Sequence, residues 1–241
     1  MDYIHSDVGV LAFPSNDMSR ICYREDGSYN EQELKSLIEA SLDSSDPTLF
    51  VDVGANVGYF SRMAALAGHD VLAIEASMRN YFYLLRNMCG FGVGQFLPIH
   101  AMAWNENTDG EIFLNPNNCG DNRSFVSHDI QHTVDKVAKR RLDDILEAYE
   151  VVNGDIERLV VKIDTQGSDH LVLEGFGRYL DRITDCFVEC WPFGSDSVDG
   201  TSLDDLKEKY DSMGFDVLPV EKDVDSITGI DYVNLHLKRK C

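Results

Sequence analysis

Positive charge is scarce in this chain. Its 21 lysines and arginines stand against 42 aspartates and glutamates, a formal net charge of −21 over 241 residues. Phosphate contacts need a basic surface, so a polyanionic partner is disfavoured and no nucleic acid is expected. No apolar run approaches the roughly 18 residues of a membrane span; the chain is expected to be soluble, with no membrane partner. The six cysteines, Cys22, Cys89, Cys119, Cys186, Cys190 and Cys241, form no C-x-x-C pair, and no signal-peptide pattern precedes them. They read as reduced thiols of a cytoplasmic protein. Cys186 and Cys190 fall on one face of one strand, where packing accounts for them better than a metal does. None of the seven histidines belongs to an H-E-x-x-H motif or another ligand pair; His128, His132, His170 and His236 read as surface or packing residues, and no metal is expected. A G-x-S-x-G elbow for a serine nucleophile is missing too, as are internal repeats and low-complexity tracts.

What is present begins with Leu49-Phe-Val-Asp-Val-Gly-Ala-Asn-Val-Gly-Tyr-Phe60. An apolar strand runs into Asp52, Gly54, Ala55, Asn56, Val57 and Gly58 and then opens a helix, the junction at which an α/β sheet accepts a cofactor. The G-x-x-x-G spacing lacks the G-x-G-x-x-G of a dinucleotide site and the Gly-Lys-Ser/Thr ending of a P-loop. Left over are an acid at a strand end, a glycine turn and helix N-terminal amides, a combination that suits a ligand with an amino-acid end and a nucleoside end. A second short strand, 71–75, ends in Glu75 about twenty residues further on, where a carboxylate can take both ribose hydroxyls. The plainer reading of Glu75 is a solvated strand end.

The length suits one α/β domain whose core needs no metal or disulfide. Residues 1–47 are expected to form a cap, with a hairpin pairing 8–13 with 20–23 across Pro14-Ser-Asn-Asp17 and then a helix over 31–42. From residue 48 to the end, strands are placed at 49–53, 71–75, 96–101, 159–163, 185–190, 215–220 and 232–238. Helices fall near 57–67, 79–89, 142–149, 169–180 and 202–213. This alternation predicts a mostly parallel sheet covered on both faces. In 232–238 polar and apolar residues alternate, which marks it as antiparallel, near an edge and paired with 215–220. Ser202 and Asp205 have capping-box spacing. A further strand is expected at 111–114, followed by a polar loop, 115–124, that is either a lid touching a ligand or a plain surface loop.

A second constellation lies in Leu159-Val-Val-Lys-Ile-Asp164, followed by Thr165-Gln-Gly-Ser-Asp169. Lys162 and Asp164 are two apart and share a face of a central strand, where two charges are expensive to bury without a ligand or a mutual contact. The alternative is a structural ion pair. Glu189 ends the next strand with Trp191 beside it, a carboxylate and an aromatic wall fit for an acceptor pocket.

These residues carry a family resemblance. Residues 50–61, Ala73-Ile-Glu-Ala76, Arg141-Leu-Asp-Asp-Ile-Leu146 and the segment 161–176 together resemble the FkbM family of S-adenosylmethionine-dependent methyltransferases, from about Gly27 to the last strand. The resemblance implies a Rossmann-like class I methyltransferase fold, a seven-stranded mostly parallel sheet with an antiparallel last strand and helices on both faces. It also implies O-methylation of a hydroxyl on a small molecule or sugar. By position, Asp52, Gly54, Asn56 and Gly58 would hold the methionine end of the cofactor and Glu75 its ribose. Ala76, Met102 and Ala103 would flank the adenine, with Asp164 near the sulfonium. Two departures bear on substrate contacts: Gln166 stands where the family often has Glu or Asp, and Asp169 where it frequently has Glu. Asp164 or Glu189 would serve as base or orient the hydroxyl, and Lys162 would stabilise alkoxide charge. Rival readings are a non-catalytic cofactor-binding scaffold, an RNA ribose methyltransferase and, more remotely, a nicotinamide dehydrogenase. Acceptor specificity is expected to reside in the N-terminal cap, the 115–128 loop and the 191–201 segment.

Overall fold

The computed structural model describes residues 1–44, 46–90, 94–126, 132–224 and 231–240. The chain opens with a hairpin of β1 (Asp2–Ser6) and β2 (Gly9–Phe13), a 3-10 turn over Met18–Cys22 and helix α1 (Gln32–Leu42). Then come β3 (Thr48–Val53), α2 (Tyr59–Leu66), β4 (Asp70–Glu75), α3 (Met78–Met88) and β5 (Phe96–His100). Three strands follow, β6 (Met102–Trp104), β7 (Thr108–Leu114) and β8 (Thr133–Arg141), and then α4 (Leu142–Asn153). The last third holds β9 (Arg158–Ile163), α5 (Asp169–Glu174), a 3-10 turn over Gly177–Arg182, β10 (Ile183–Cys190), α6 (Pro192–Asp199), α7 (Leu203–Ser212), β11 (Phe215–Val224) and β12 (Asp231–Arg239).

Seven strands form the main sheet in the order β11, β12, β10, β9, β3, β4, β5. β10, β9, β3, β4 and β5 are mutually parallel. β12 slots antiparallel between β10 and β11, which gives the antiparallel last strand that its alternation predicts. Successive residues of a strand serve opposite faces: Leu49, Val51 and Val53 pack with Leu146, Val172 and Leu206 of α4, α5 and α7, whereas Phe50 packs with Ile38 and Phe60 of α1 and α2. Each such side chain, fully buried, contributes roughly 1.5–3 kcal/mol, so the register of the central strands is strongly held. That register puts Asp52 opposite Lys162, on the α1 and α2 face.

The structure corrects the sequence reading in four places. The N-terminal hairpin pairs 9–13 with 2–6, not with 20–23. Its turn closes with Ser6 Oγ donating to the Gly9 carbonyl at 2.7 Å, while Asp17 caps the next turn by accepting from the Ser19 amide at 3.0 Å, so the chain past Pro14 coils instead of extending. The predicted helix 169–180 breaks after Glu174 into a 3-10 turn. The predicted strand 111–114 is the end of β7, which pairs antiparallel with the unpredicted β8; β8 buries only Val137 and has no apolar period to read. Helix α6 was also unpredicted, and begins at Pro192. The capping box of α7 forms as its spacing predicts.

Candidate active site

The carboxyl ends of β3, β4, β9 and β10 share one edge of the sheet, and the residues singled out in the sequence gather there. At the end of β3 the amides of Gly54 and Ala55 both donate to the Ile74 carbonyl, at 2.9 and 3.1 Å. Gly54 has φ +75, and a Cβ on it would overlap the Asp164 carbonyl, so only glycine lets the two loops close on each other. Gly54→Ala is therefore expected to cost at least about 2 kcal/mol of stability, read as a lowered midpoint in urea unfolding; an unchanged midpoint would refute the close approach.

Asn56, in the left-handed region at φ 51, aims its amide at Glu75 Oε2 (2.8 Å). The Ser77 amide reaches Oε1 at 2.8 Å. Glu75 is 5% exposed; burial pushes its carboxyl up to about 7, against the pull of the Ser77 and Asn56 amides. The sign of the linkage follows from its ordinary value of 4.5. The folded state keeps a proton that the unfolded chain releases, so this contribution to stability is present below about pH 4.5 and is lost as pH rises through about 7. It is on the order of 3 kcal/mol. Melting of Glu75→Gln between pH 5 and 8 is expected to show a smaller decline with rising pH than the wild type; parallel profiles would refute the buried carboxyl.

Two cavities adjoin at this edge. The smaller, with 570 Å³ of atom-free space, is lined by Gly54, Asn56, Glu75, Ala76, Met102, Ala103 and Asp164 among others. The larger, 1650 Å³, is walled by Tyr23, Tyr29, Tyr59, Phe60 and Trp191, with Glu31, Lys162, Asp164 and Glu189 between them. Gly54, Asn56, Gly120, Asp164 and Gln166 line both. Of the residues assigned to the cofactor in the sequence, Ala55 and Val57 line only the larger cavity, and Asp52 and Gly58 line neither. Gly58 lies against Leu84 of α3. The expectation for Asp52 needs correcting: at 1% exposure it lies below the turn, where Oδ2 accepts from Ser61 Oγ of α2 at 2.6 Å, Oδ1 is buried without a hydrogen-bond partner, and Lys162 opposite on β9 is the neighbouring cation that so buried a carboxylate needs.

At the junction Lys162 Nζ lies 3.1 Å from Asp164 Oδ2 and 5.0 Å from the Phe60 ring centroid. Burial works against the Lys162 charge, but Asp164, Asp52, Glu31 and Glu189 together raise its pKa and hold it as an ammonium. Gln166 Nε2 bridges Asp164 Oδ1 at 2.8 Å and Glu189 Oε1 at 2.9 Å. Burial, then the charges of Asp164 and Glu31, push Glu189 well above the usual carboxylate range, with Lys162 opposing. Asp169 faces its own loop, accepting from the Thr165 amide at 2.8 Å, from Thr165 Oγ1 at 2.9 Å and from the Gly167 amide at 3.2 Å. Thus Gln166 takes a place in the site and Asp169 holds the turn that presents it.

The polar loop 115–124 borders both cavities: Cys119, Asn122 and Ser124 line the smaller, Asn118 and Asp121 the larger, and Gly120 both. Residues 127 and 128 of the predicted specificity loop lie outside the described residues. From 191–201, only Trp191 lines the larger cavity. The N-terminal contributors, Tyr23, Tyr29 and Glu31, were not foreseen individually. They are brought in by Asp17, which accepts the Cys119 amide at 3.0 Å, and by the Met18 amide donating to Asn117 O at 2.8 Å. Cys186 and Cys190 are buried in the core, and His170 and His236 pair with Asp199 and Asp185 at 2.8 and 2.9 Å. Among the described residues no His, Cys, Asp and Glu group able to hold a metal occurs, and no helix is long and apolar enough to cross a membrane.

Among family models, residues 52–217 match the methyltransferase FkbM domain. No curated protein matches the chain. Similar solved structures include magnesium protoporphyrin IX methyltransferase of Synechocystis PCC 6803 with bound SAM, at 13% identity over 88% of this chain and 80% of that one, TM-score 0.48. Another is the ribosomal protein L11 methylase of Lactobacillus delbrueckii subsp. bulgaricus, at 13% identity over 91% and 83%, TM-score 0.48. A third is the precorrin-6y C5,15-methyltransferase of Geobacter metallireducens GS-15, at 11% identity over 94% and 100%, TM-score 0.48. The family match spans more than half of the sequence, includes the glycine turn, Glu75, Lys162, Asp164 and Glu189, and lies on a seven-stranded sheet of the expected topology: the chain belongs to the FkbM family of S-adenosylmethionine-dependent methyltransferases.

Proposed function

We propose that this protein methylates a hydroxyl of a small molecule or sugar held in the larger cavity. The observation that carries the reading is that the two cavities meet at Asp164, so a donor in one and an acceptor in the other face each other across a single carboxylate. The smaller cavity fits the donor: Gly54 leaves room at the turn, Glu75 is preset by two amides to accept ribose hydroxyls, and Ala76, Met102 and Ala103 offer apolar walls for a base. Bound there, S-adenosylmethionine supplies an electrophilic methyl group on a sulfonium.

The chain's own residues then align and deprotonate the acceptor. Asp164 orients the hydroxyl and takes its proton. Lys162, a buried ammonium beside it, steadies the negative charge that grows on the oxygen. Glu189, pushed toward its protonated form, hydrogen-bonds the acceptor together with Gln166. The aromatic wall excludes water and the N-terminal segment 1–47 acts as the cap, so alignment in a dry pocket contributes several kcal/mol to lowering the barrier. A formal charge of −21 speaks against RNA as acceptor. The thiols Cys22, Cys89, Cys119, Cys186 and Cys190 are free, which supports a reducing, cytoplasmic compartment.

Calorimetry with S-adenosylmethionine and S-adenosylhomocysteine, followed by transfer of isotope-labelled methyl to fractionated metabolites, tests the proposal. A product carrying a new methyl ether supports it. Cofactor binding with no transfer to any hydroxyl, or transfer to RNA alone, overturns it.

A further inference from the structure

Two residues that line the smaller cavity, Asn80 and Ser124, each carry a buried polar atom without a hydrogen-bond partner, Oδ1 and Oγ respectively. Asn80 lies in the first turn of α3 at 1% exposure. Its Nδ2 donates to the Cys119 carbonyl at 2.7 Å, which fixes the amide's orientation and leaves Oδ1 as an acceptor. A buried acceptor with no donor is costly, and one that lines a cavity beside Glu75 is matched to a ligand that brings a donor. The backbone ties Asn80 to the same corner: its amide donates to Ser77 Oγ at 3.4 Å, and the Ser77 amide donates to Glu75. Cys119 in turn belongs to the loop whose next residue, Gly120, lines both cavities and whose Asn118 and Asp121 wall the larger one.

We propose that Asn80 is a latch between the cofactor and the acceptor cavity. Its Oδ1 accepts a hydrogen bond from the nucleoside part of the cofactor, whose hydroxyl and amino groups are the available donors, while Nδ2 holds Cys119. Cofactor binding thereby fixes the loop 115–124 and completes the wall of the larger cavity, so the cofactor binds before the acceptor. This rests on the assignment of the smaller cavity to S-adenosylmethionine. Asn80 is a positioning residue for the loop as well as a contact for the cofactor.

S-adenosylhomocysteine is the probe, with affinity read by calorimetry and loop order by amide hydrogen exchange. In the wild type it is expected to slow exchange across 115–124. Asn80→Ala is expected to bind it about tenfold more weakly and, at saturation, to show no slowing in the loop. Asn80→Asp fills the same volume and keeps an acceptor but loses the donor to Cys119; it is expected to bind within about threefold of wild type and also to lose the protection. Asn80→Ala binding within about twofold of wild type, or loop protection in both variants equal to that of the wild type, overturns the latch. A wild type that binds no S-adenosylhomocysteine overturns the cofactor assignment itself, which separates the two failures.

Discussion

Asp164→Asn is expected to lower methyl transfer by about two to four orders of magnitude while leaving the affinity for S-adenosylhomocysteine within about threefold of wild type. The substitution keeps the volume of the side chain and both backbone contacts of residue 164, the amide donated to Val53 O at 3.0 Å and the carbonyl against which Gly54 closes. What it removes is the carboxylate at the point where the two cavities join, and with it the group placed to take the hydroxyl proton. Single-turnover transfer to the acceptor identified in the metabolite screen, measured beside calorimetry, gives the two numbers. Equal losses in turnover and cofactor affinity would sink the catalytic role and leave Asp164 as a cofactor contact only.

Lys162→Met is expected to cost about 3–5 kcal/mol of stability near neutral pH. Lys162 is 5% exposed and is the cation that Asp52, Asp164, Glu31 and Glu189 converge on. Methionine matches its length but leaves Asp52, 1% exposed and already pushed upward by burial, with the Ser61 hydroxyl as its donor. The loss is expected to shrink as pH falls, because a protonated carboxyl no longer needs the ammonium. Urea unfolding at pH 5 and pH 8 reads both parts; a variant within about 1 kcal/mol of wild type at pH 8 would show that Lys162 serves the acceptor and not the fold.

Both predictions concern residues that the sequence singled out, and that is no accident of this chain. A glycine turn, a strand-end acid and two charges in an otherwise apolar strand are local departures from what a buried α/β strand should contain, so Gly54, Glu75, Lys162 and Asp164 stand out by position alone. Asp52 shows where local reading stops. It sits in the same motif, yet its Oδ2 accepts from Ser61 of α2, nine residues on, and its charge faces Lys162 on the neighbouring strand, and neither relation is visible before the elements are placed in register. Asn80 gave no signal either: an asparagine in the first turn of a helix is ordinary, and only the approach of Cys119 strips one of its two amide atoms of freedom.

Determined by the sequence itself were the family, the parallel sheet with its antiparallel last strand, and the strand edge where the chemistry sits, because strand period, glycine turns and helix caps are decided within a few neighbouring residues. Left to tertiary structure were the partner of β2, the strand β8 that hides almost nothing, and the larger cavity, whose wall brings Tyr23, Tyr29 and Glu31 against Lys162, Glu189 and Trp191. These depend on contacts between segments far apart in the chain, where loop closure and burial compete and no local pattern records the outcome.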